Sequence, residues 1–221
     1  MSGVLVVGAG GLGSPLTRIL REAGVKRITV VDPDVVAPEN LHRQILYRES
    51  DVGRPKVEVV RERMGTAVSG RRERLDDRNG RALIAGHACV FDGTDNFADK
   101  YRLNDLCLEL DVPLVHAGAA AFRGQVLVVR RGGPCLRCLL DTPPDAERDE
   151  CRFTGVFGPA VGVVAALAAA EVLRVLSGDS APPGLFLADL ASGRLRRVRL
   201  DPLPGCRCGI GVDVPRTAPI V

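Results

Sequence analysis

The hexapeptide Gly8-Ala9-Gly10-Gly11-Leu12-Gly13 separates the apolar run Val4–Val7 from a helical pattern. In that setting a glycine turn brings backbone N–H groups and a helix N-terminus against phosphate oxygens. Asp32, 19 residues beyond Gly13 and at the end of a second β-branched run, is placed to accept hydrogen bonds from ribose hydroxyls. Together they point to an adenine nucleotide. The runs Asp32-Pro33-Asp34, Asn40-Leu41-His42-Arg43-Gln44, Gly53-Arg54-Pro55-Lys56 and Thr94-Asp95-Asn96 then supply two cations and a carboxylate. Hydride transfer to a nicotinamide has no use for these. Lysine is scarce: of 30 Lys and Arg residues, only Lys26, Lys56 and Lys100 are lysine, so each is a candidate for a position that wants a compact ammonium.

Seven cysteines, at 89, 107, 135, 138, 151, 206 and 208, form a second chemical set. Without a secretory leader they suggest metal binding or thiol chemistry over a disulfide framework. Cys135-Leu136-Arg137-Cys138 is a C-x-x-C knuckle and Cys206-Arg207-Cys208 a C-x-C pair. Four thiolates from these pairs would close a tetrahedral Zn2+ site, the alternative being structural thiols. Cys151 adjoins Arg152, a neighbour that favours the nucleophilic thiolate; an inert loop thiol is the other reading.

Elements able to position these groups alternate along the chain. Val4–Val7, Ile28–Val31, Ala88–Phe91, Val112–His116 and Gln125–Arg130 read as strands. Pro15–Ala23, Lys56–Met64, Leu103–Leu110 and Ala160–Leu176 read as helices, Leu185–Asp189 with Leu195–Leu200 as a closing hairpin, and 141–152 as a mobile loop. The expected fold is α/β: a Rossmann-like nucleotide-binding sheet with crossover helices, a C-terminal antiparallel extension and a zinc knuckle. A length of 221 residues suits one domain, 1–221, and 46% apolar residues suffice for a core. With no block of like charge, neither nucleic acid nor membrane is an expected partner. The opening Ser2-Gly3 leads straight into a strand, so a cytoplasmic location is expected. Gly155–Ala170 is uncharged but shorter than the ~20 residues that cross a bilayer, and reads as a buried helix.

In this order, from about Val4 to about Gly209, the motifs resemble the ThiF/MoeB/HesA family, bacterial relatives of the ubiquitin-activating enzymes. The resemblance implies ATP- and Mg2+-dependent adenylation of the C-terminal carboxylate of a ubiquitin-like sulfur carrier ending in Gly-Gly. It implies that Arg43 and Lys56 offset phosphate charge, that Asp95 binds magnesium, that Gly8, Gly10, Gly11, Gly13, Asp32, Asp34, Asn40, Gln44 and Asn96 line the nucleotide site, and that Arg102 lies near it. Cys151 falls where some members carry a cysteine linked to the carrier. A homodimer and a separate sulfur-donor protein are implied partners. Two departures stand out: the C-x-C pair where the family has C-x-x-C, and the lack of the usual N-terminal helical arm, whose arginine reaches the partner subunit's site. Either a basic residue such as Arg18 or Arg21 replaces it, or the protein is slower, partner-dependent or shortened, Arg21 also reading as a plain surface residue. The competing readings are an activating enzyme for a peptide or tRNA carboxylate, a non-catalytic carrier-binding scaffold and an NAD-dependent oxidoreductase.

Overall fold

Alternation along the first strand, β1 (Gly3–Val7), sets the layering. Val4 and Val6 join one buried cluster, Leu5 and Val7 another, and a strand buried on both faces needs helices on both. The computed structural model describes residues 3–141, 155–179 and 184–209. On one face α1 (Gly13–Glu22), α2 (Lys56–Met64) and α6 (Gly158–Leu176) contribute Leu16, Leu20, Val60, Val164 and Ala168. On the other, α3 (Gly80–Ile84), α4 (Phe97–Leu110) and the short α5 (Leu136–Leu139) contribute Ile84, Leu103, Leu106 and Leu136.

Eight strands form one sheet. β1 pairs in parallel with β2 (Ile28–Val31) and β4 (His87–Asp92); β2 pairs in parallel with β3 (Val68–Arg71), and β4 with β5 (Leu114–Ala120). From β5 the sheet continues antiparallel through β6 (Arg123–Val129), β7 (Leu185–Asp189) and β8 (Arg194–Val198). In the order β3-β2-β1-β4-β5-β6-β7-β8 the chain reverses direction across the sheet at β1. A crevice therefore opens beyond the carboxyl ends of β1 and β4, where open α/β sheets take their ligands. β8 is the far edge, and all five of its residues are exposed, Arg194, Arg196 and Arg197 among them.

The expected class holds, with local differences. β3 and α3 were not anticipated: in Val68-Ser-Gly-Arg only Val68 is buried, so this edge strand carries almost no apolar signal. α4 begins at Phe97, six residues before the expected Leu103, because Asn96 Oδ1 accepts the Asp99 N–H at 2.8 Å and caps a turn whose polar residues read as loop. β5 runs on to Ala120 through small residues of poor strand propensity, held by seven-residue pairing with β6. β8 stops at Val198, two residues short of expectation. By length and composition α6 is a helix that could cross a membrane, yet it packs against α1 and strands β4–β6 as a core helix.

Because the cap supports the turn leading into the crevice, Asn96→Ala is expected to lower the unfolding free energy by about 1 kcal/mol in urea denaturation, and Asn96→Ser to recover most of it.

Candidate nucleotide site

A cavity of about 500 Å³ occupies the crevice. Its floor is the glycine turn, and the glycines there differ in what they do. Gly8 has φ +94°, and a Cβ on it would meet the Gly93 carbonyl oxygen at 2.6 Å. A Cβ on Gly13 would lie 1.8 Å from the Gly8 oxygen. These two are required by close backbone approach. At Gly11 a Cβ would press on Val161 at 3.0 Å, whereas at Gly10 its nearest neighbour is 3.6 Å away. Gly8, Gly10 and Gly11 line the cavity, and Gly13 starts α1 behind them.

Asp32 holds this turn from beneath. One carboxylate oxygen accepts the Ala9 N–H at 2.6 Å and the other the Asp34 N–H at 2.8 Å, and the side chain is buried. Burial pushes its carboxyl above the usual range, against the pull of Lys56 and these two donors. The sequence suggested a ribose contact; here both oxygens first serve the backbone, which makes Asp32 a part of the turn as much as of the ligand wall. The Tyr47 hydroxyl donates to the Ala9 oxygen at 2.7 Å, so the peptides before and after Ala9 are both held.

The remaining expected residues converge on the same space. Lys56 is 5% exposed, and its Nζ donates to Asp34 Oδ2 at 3.0 Å, a paired ammonium in place of a solvated one. Arg43 donates to Asn40 Oδ1 and reaches the Glu39 oxygen at 3.4 Å. Gln44 is buried with Oε1 lacking any partner, an acceptor that a ligand donor or bound water would satisfy. Asp95 is exposed on the cavity wall and makes no side-chain hydrogen bond or ion pair to any described residue, since Asn96 has taken the capping role. Arg102 bonds Asp77 at 2.8 Å and the cavity-lining Asp99 at 2.7 Å, and so stands behind the wall without lining it. Arg18 pairs with Glu22 at 2.9 Å, and neither it nor Arg21 reaches the cavity. Cys151 lies outside the described residues, as does most of the loop expected at 141–152.

A cluster that the sequence did not reveal borders the cavity on the β4–β5 side. Asp92 is fully buried and accepts from Thr94 N at 3.0 Å, Thr94 Oγ1 at 2.6 Å, His116 Nδ1 at 2.7 Å and Lys100 Nζ at 3.4 Å. Burial alone would raise its carboxyl, but Lys100, His116 and Thr94 outweigh burial and hold it far below the usual carboxylate range. Because an ionised carboxylate only accepts, His116 carries its proton on Nδ1. Burial lowers the pKa of His116, more than its bond to Asp92 raises it, and keeps the ring neutral.

Away from the cavity, Cys135, Cys138, Cys206 and Cys208 place their sulfurs within 4.8 Å of one another. The separations of 3.9 Å for Cys135–Cys138, 3.6 Å for Cys135–Cys206 and 3.4 Å for Cys138–Cys208 approach the ~3.8 Å edge of a tetrahedron with 2.3 Å zinc–sulfur bonds. The shortened C-x-C spacing therefore still brings both its thiols to the knuckle, and the cluster is compatible with a metal.

The ThiF family matches residues 1–209 of the chain. The chain belongs to the ThiF family. One relative, the "sulfur carrier protein adenylyltransferase" of Thermus thermophilus, is 39% identical over 221 residues, covering 93% of this chain and 82% of its own. The "adenylyltransferase and sulfurtransferase MOCS3" of Caenorhabditis briggsae is 37% identical, over 98% of this chain but 56% of that protein, so the chain spans about half the length of such relatives. A crystal structure of E. coli MccB with ATP shares the fold, at TM-score 0.80 and 22% identity over 94% of this chain and 67% of that one. The eight-stranded sheet with its crevice is thus the ThiF family's architecture.

Two outcomes follow from the contacts. Gly13→Ala should abolish nucleotide binding and lower the thermal midpoint, while Gly10→Ala keeps the midpoint within about 2 °C, both read by differential scanning fluorimetry. His116 has a lowered pKa in the folded state, so it favours folding above its unfolded value of ~6.5 and that contribution is lost as pH falls below it. Stability should drop by up to about 1.4 kcal/mol per pH unit below pH 6 from this group, and His116→Gln should flatten that part of the profile.

Proposed function

We propose that this chain transfers AMP from ATP to the C-terminal carboxylate of a small ubiquitin-like sulfur carrier ending in Gly-Gly, preparing it for thiocarboxylate formation in thiamine, molybdenum cofactor or related sulfur metabolism. The observation that carries this reading is the convergence of Arg43, Lys56 and Asp95 on one cavity floored by the glycine turn. The activities of the named relatives in Thermus thermophilus and Caenorhabditis briggsae support it, as does the "SAMP-activating enzyme E1" of Haloferax volcanii, 36% identical over 95% of this chain.

In this reaction a carrier carboxylate oxygen bonds to the α-phosphorus as the bond to the β-phosphate bridging oxygen breaks, and pyrophosphate departs with that electron pair. Both reactants are anions, so the walls must offset repulsion and stabilise charge on the leaving group. Arg43, oriented by Asn40, would present its fork to phosphate oxygens, and Lys56, held against Asp34, would add a fixed point charge. Backbone N–H groups of the glycine turn and the start of α1 would receive phosphate. Asp95, unengaged and oxygen-bearing, suits Mg2+, which when bound neutralises phosphate charge. Zn2+ would be held by the four cysteines remote from this chemistry, tying residues 206–208 to the knuckle after β6. A separate protein would donate sulfur, and a homodimer in the cytoplasm belongs to the same reading.

Carrier-dependent exchange of labelled pyrophosphate into ATP tests the proposal. Exchange should appear with a Gly-Gly-tailed carrier and fall at least ~100-fold in Lys56→Ala and Asp95→Ala. ATP binding without exchange for any carrier would favour a scaffold, and tight binding of NAD an oxidoreductase. For the thiols, about one zinc per chain is expected by elemental analysis, with Cys208→Ser losing the metal and unfolding at lower temperature.

A further inference from the structure

Of the three lysines, Lys26 is exposed, whereas Lys56 and Lys100 both line the cavity, each beside a carboxylate. They serve opposite ends of it. Lys56 meets Asp34 just past β2, and Lys100 meets Asp92 at the end of β4 and the Ala117 oxygen, at 3.2 Å, in β5. In the order β2-β1-β4-β5, β4 and β5 stand two and three strand spacings from β2, roughly 10–14 Å at ~4.8 Å each. A single phosphate in contact with Lys56 cannot also touch Lys100 across that gap, so Lys100 is left to another group.

Lys100 does most to keep buried Asp92 ionised, yet that pairing does not use all of its ammonium. Asp92 already accepts three shorter hydrogen bonds, from Thr94 N, Thr94 Oγ1 and His116 Nδ1, at 2.6–3.0 Å. The 3.4 Å approach of Lys100 is the longest of the set and lies beyond the usual 2.7–3.2 Å range. Its ammonium has three protons, and Asp92 and Ala117 occupy two of them. The side chain is 12% exposed, through the cavity.

We infer that Lys100 is a catalytic residue that binds the attacking carboxylate of the carrier tail and aims it at the α-phosphorus. This rests on the adenylation reading above. Lys100 stays an ammonium throughout: the carboxylate forms the new oxygen–phosphorus bond, pyrophosphate takes the electron pair, and no proton moves. Asp92, with His116 behind it, keeps the lysine stem from swinging toward the triphosphate.

The direct test is a binding cycle between Lys100→Met and a carrier whose C-terminal glycine is amidated. In the wild type, amidation should weaken carrier binding at least tenfold, and in Lys100→Met it should change binding less than threefold, a coupling in the range of close buried charge pairs. Equal weakening in both proteins overturns the inference, as does a loss of ATP affinity in Lys100→Met matching its loss of carrier affinity. The exchange assay separates the two levels. Wild-type protein without carrier-dependent exchange sinks adenylation itself, while exchange in a normally folded Lys100→Met within threefold of wild type sinks the role of Lys100 alone. Exchange lost in Lys100→Ala and restored tenfold or more by added methylammonium supports it, because a purely structural lysine would not answer to a soluble amine.

Discussion

The closeness of two backbones governs this molecule. The turn after β1 runs so near the turn after β4 and the start of α1 that no side-chain carbon fits at Gly8 or Gly13. That approach lets the Gly93 N–H reach the Val7 oxygen at 2.8 Å, and it places Ala9 where Asp32 can hold its N–H and Tyr47 its C=O. A rigid, side-chain-free floor is the result, and phosphate can settle on it at little entropic cost. Had the turn been looser, Asp32 would have no buried donor to meet, and the wall carrying Asp34 and Lys56 would lose its anchor.

Around that floor the cations are supplied in pairs with carboxylates: Lys56 with Asp34, Lys100 with Asp92. An ammonium taken out of water unpaired would shed its proton, so the partner keeps the charge available before any ligand arrives. Pairing also weakens each ammonium's pull at a distance, which limits its effect to an anion in direct contact. Asp95 has no such partner among the described residues, and its carboxylate fits a site whose positive charge comes from solution.

The glycine turn, the β-branched runs and the nucleotide-facing residues were legible in the sequence because each depends on local composition or on short spacing. Eleven expected residues, from Gly8 to Asn96, do line one cavity. What escaped depends on contacts distant in the chain. His116 meets Asp92 because β4 and β5 pair in register, and nothing near either residue announces it. β3 has one buried side chain and forms because β2 needs a neighbour, and the polar first turn of α4 is helical because of a single cap. The motifs around Arg102 likewise say nothing of Asp77 and Asp99, which claim its guanidinium. Lys100 left a faint trace through the rarity of lysine, though rarity could not say what it faces.

At the far side of the sheet, β8 pairs with no further strand among the described residues, and three of its five residues are arginine. Two such borders brought together would set guanidinium against guanidinium at strand spacing, a repulsion water cannot fully screen over so short a distance. Charge of one sign along a sheet border disfavours strand-to-strand polymerisation, a consequence of the arginine-rich composition unrelated to nucleotide chemistry.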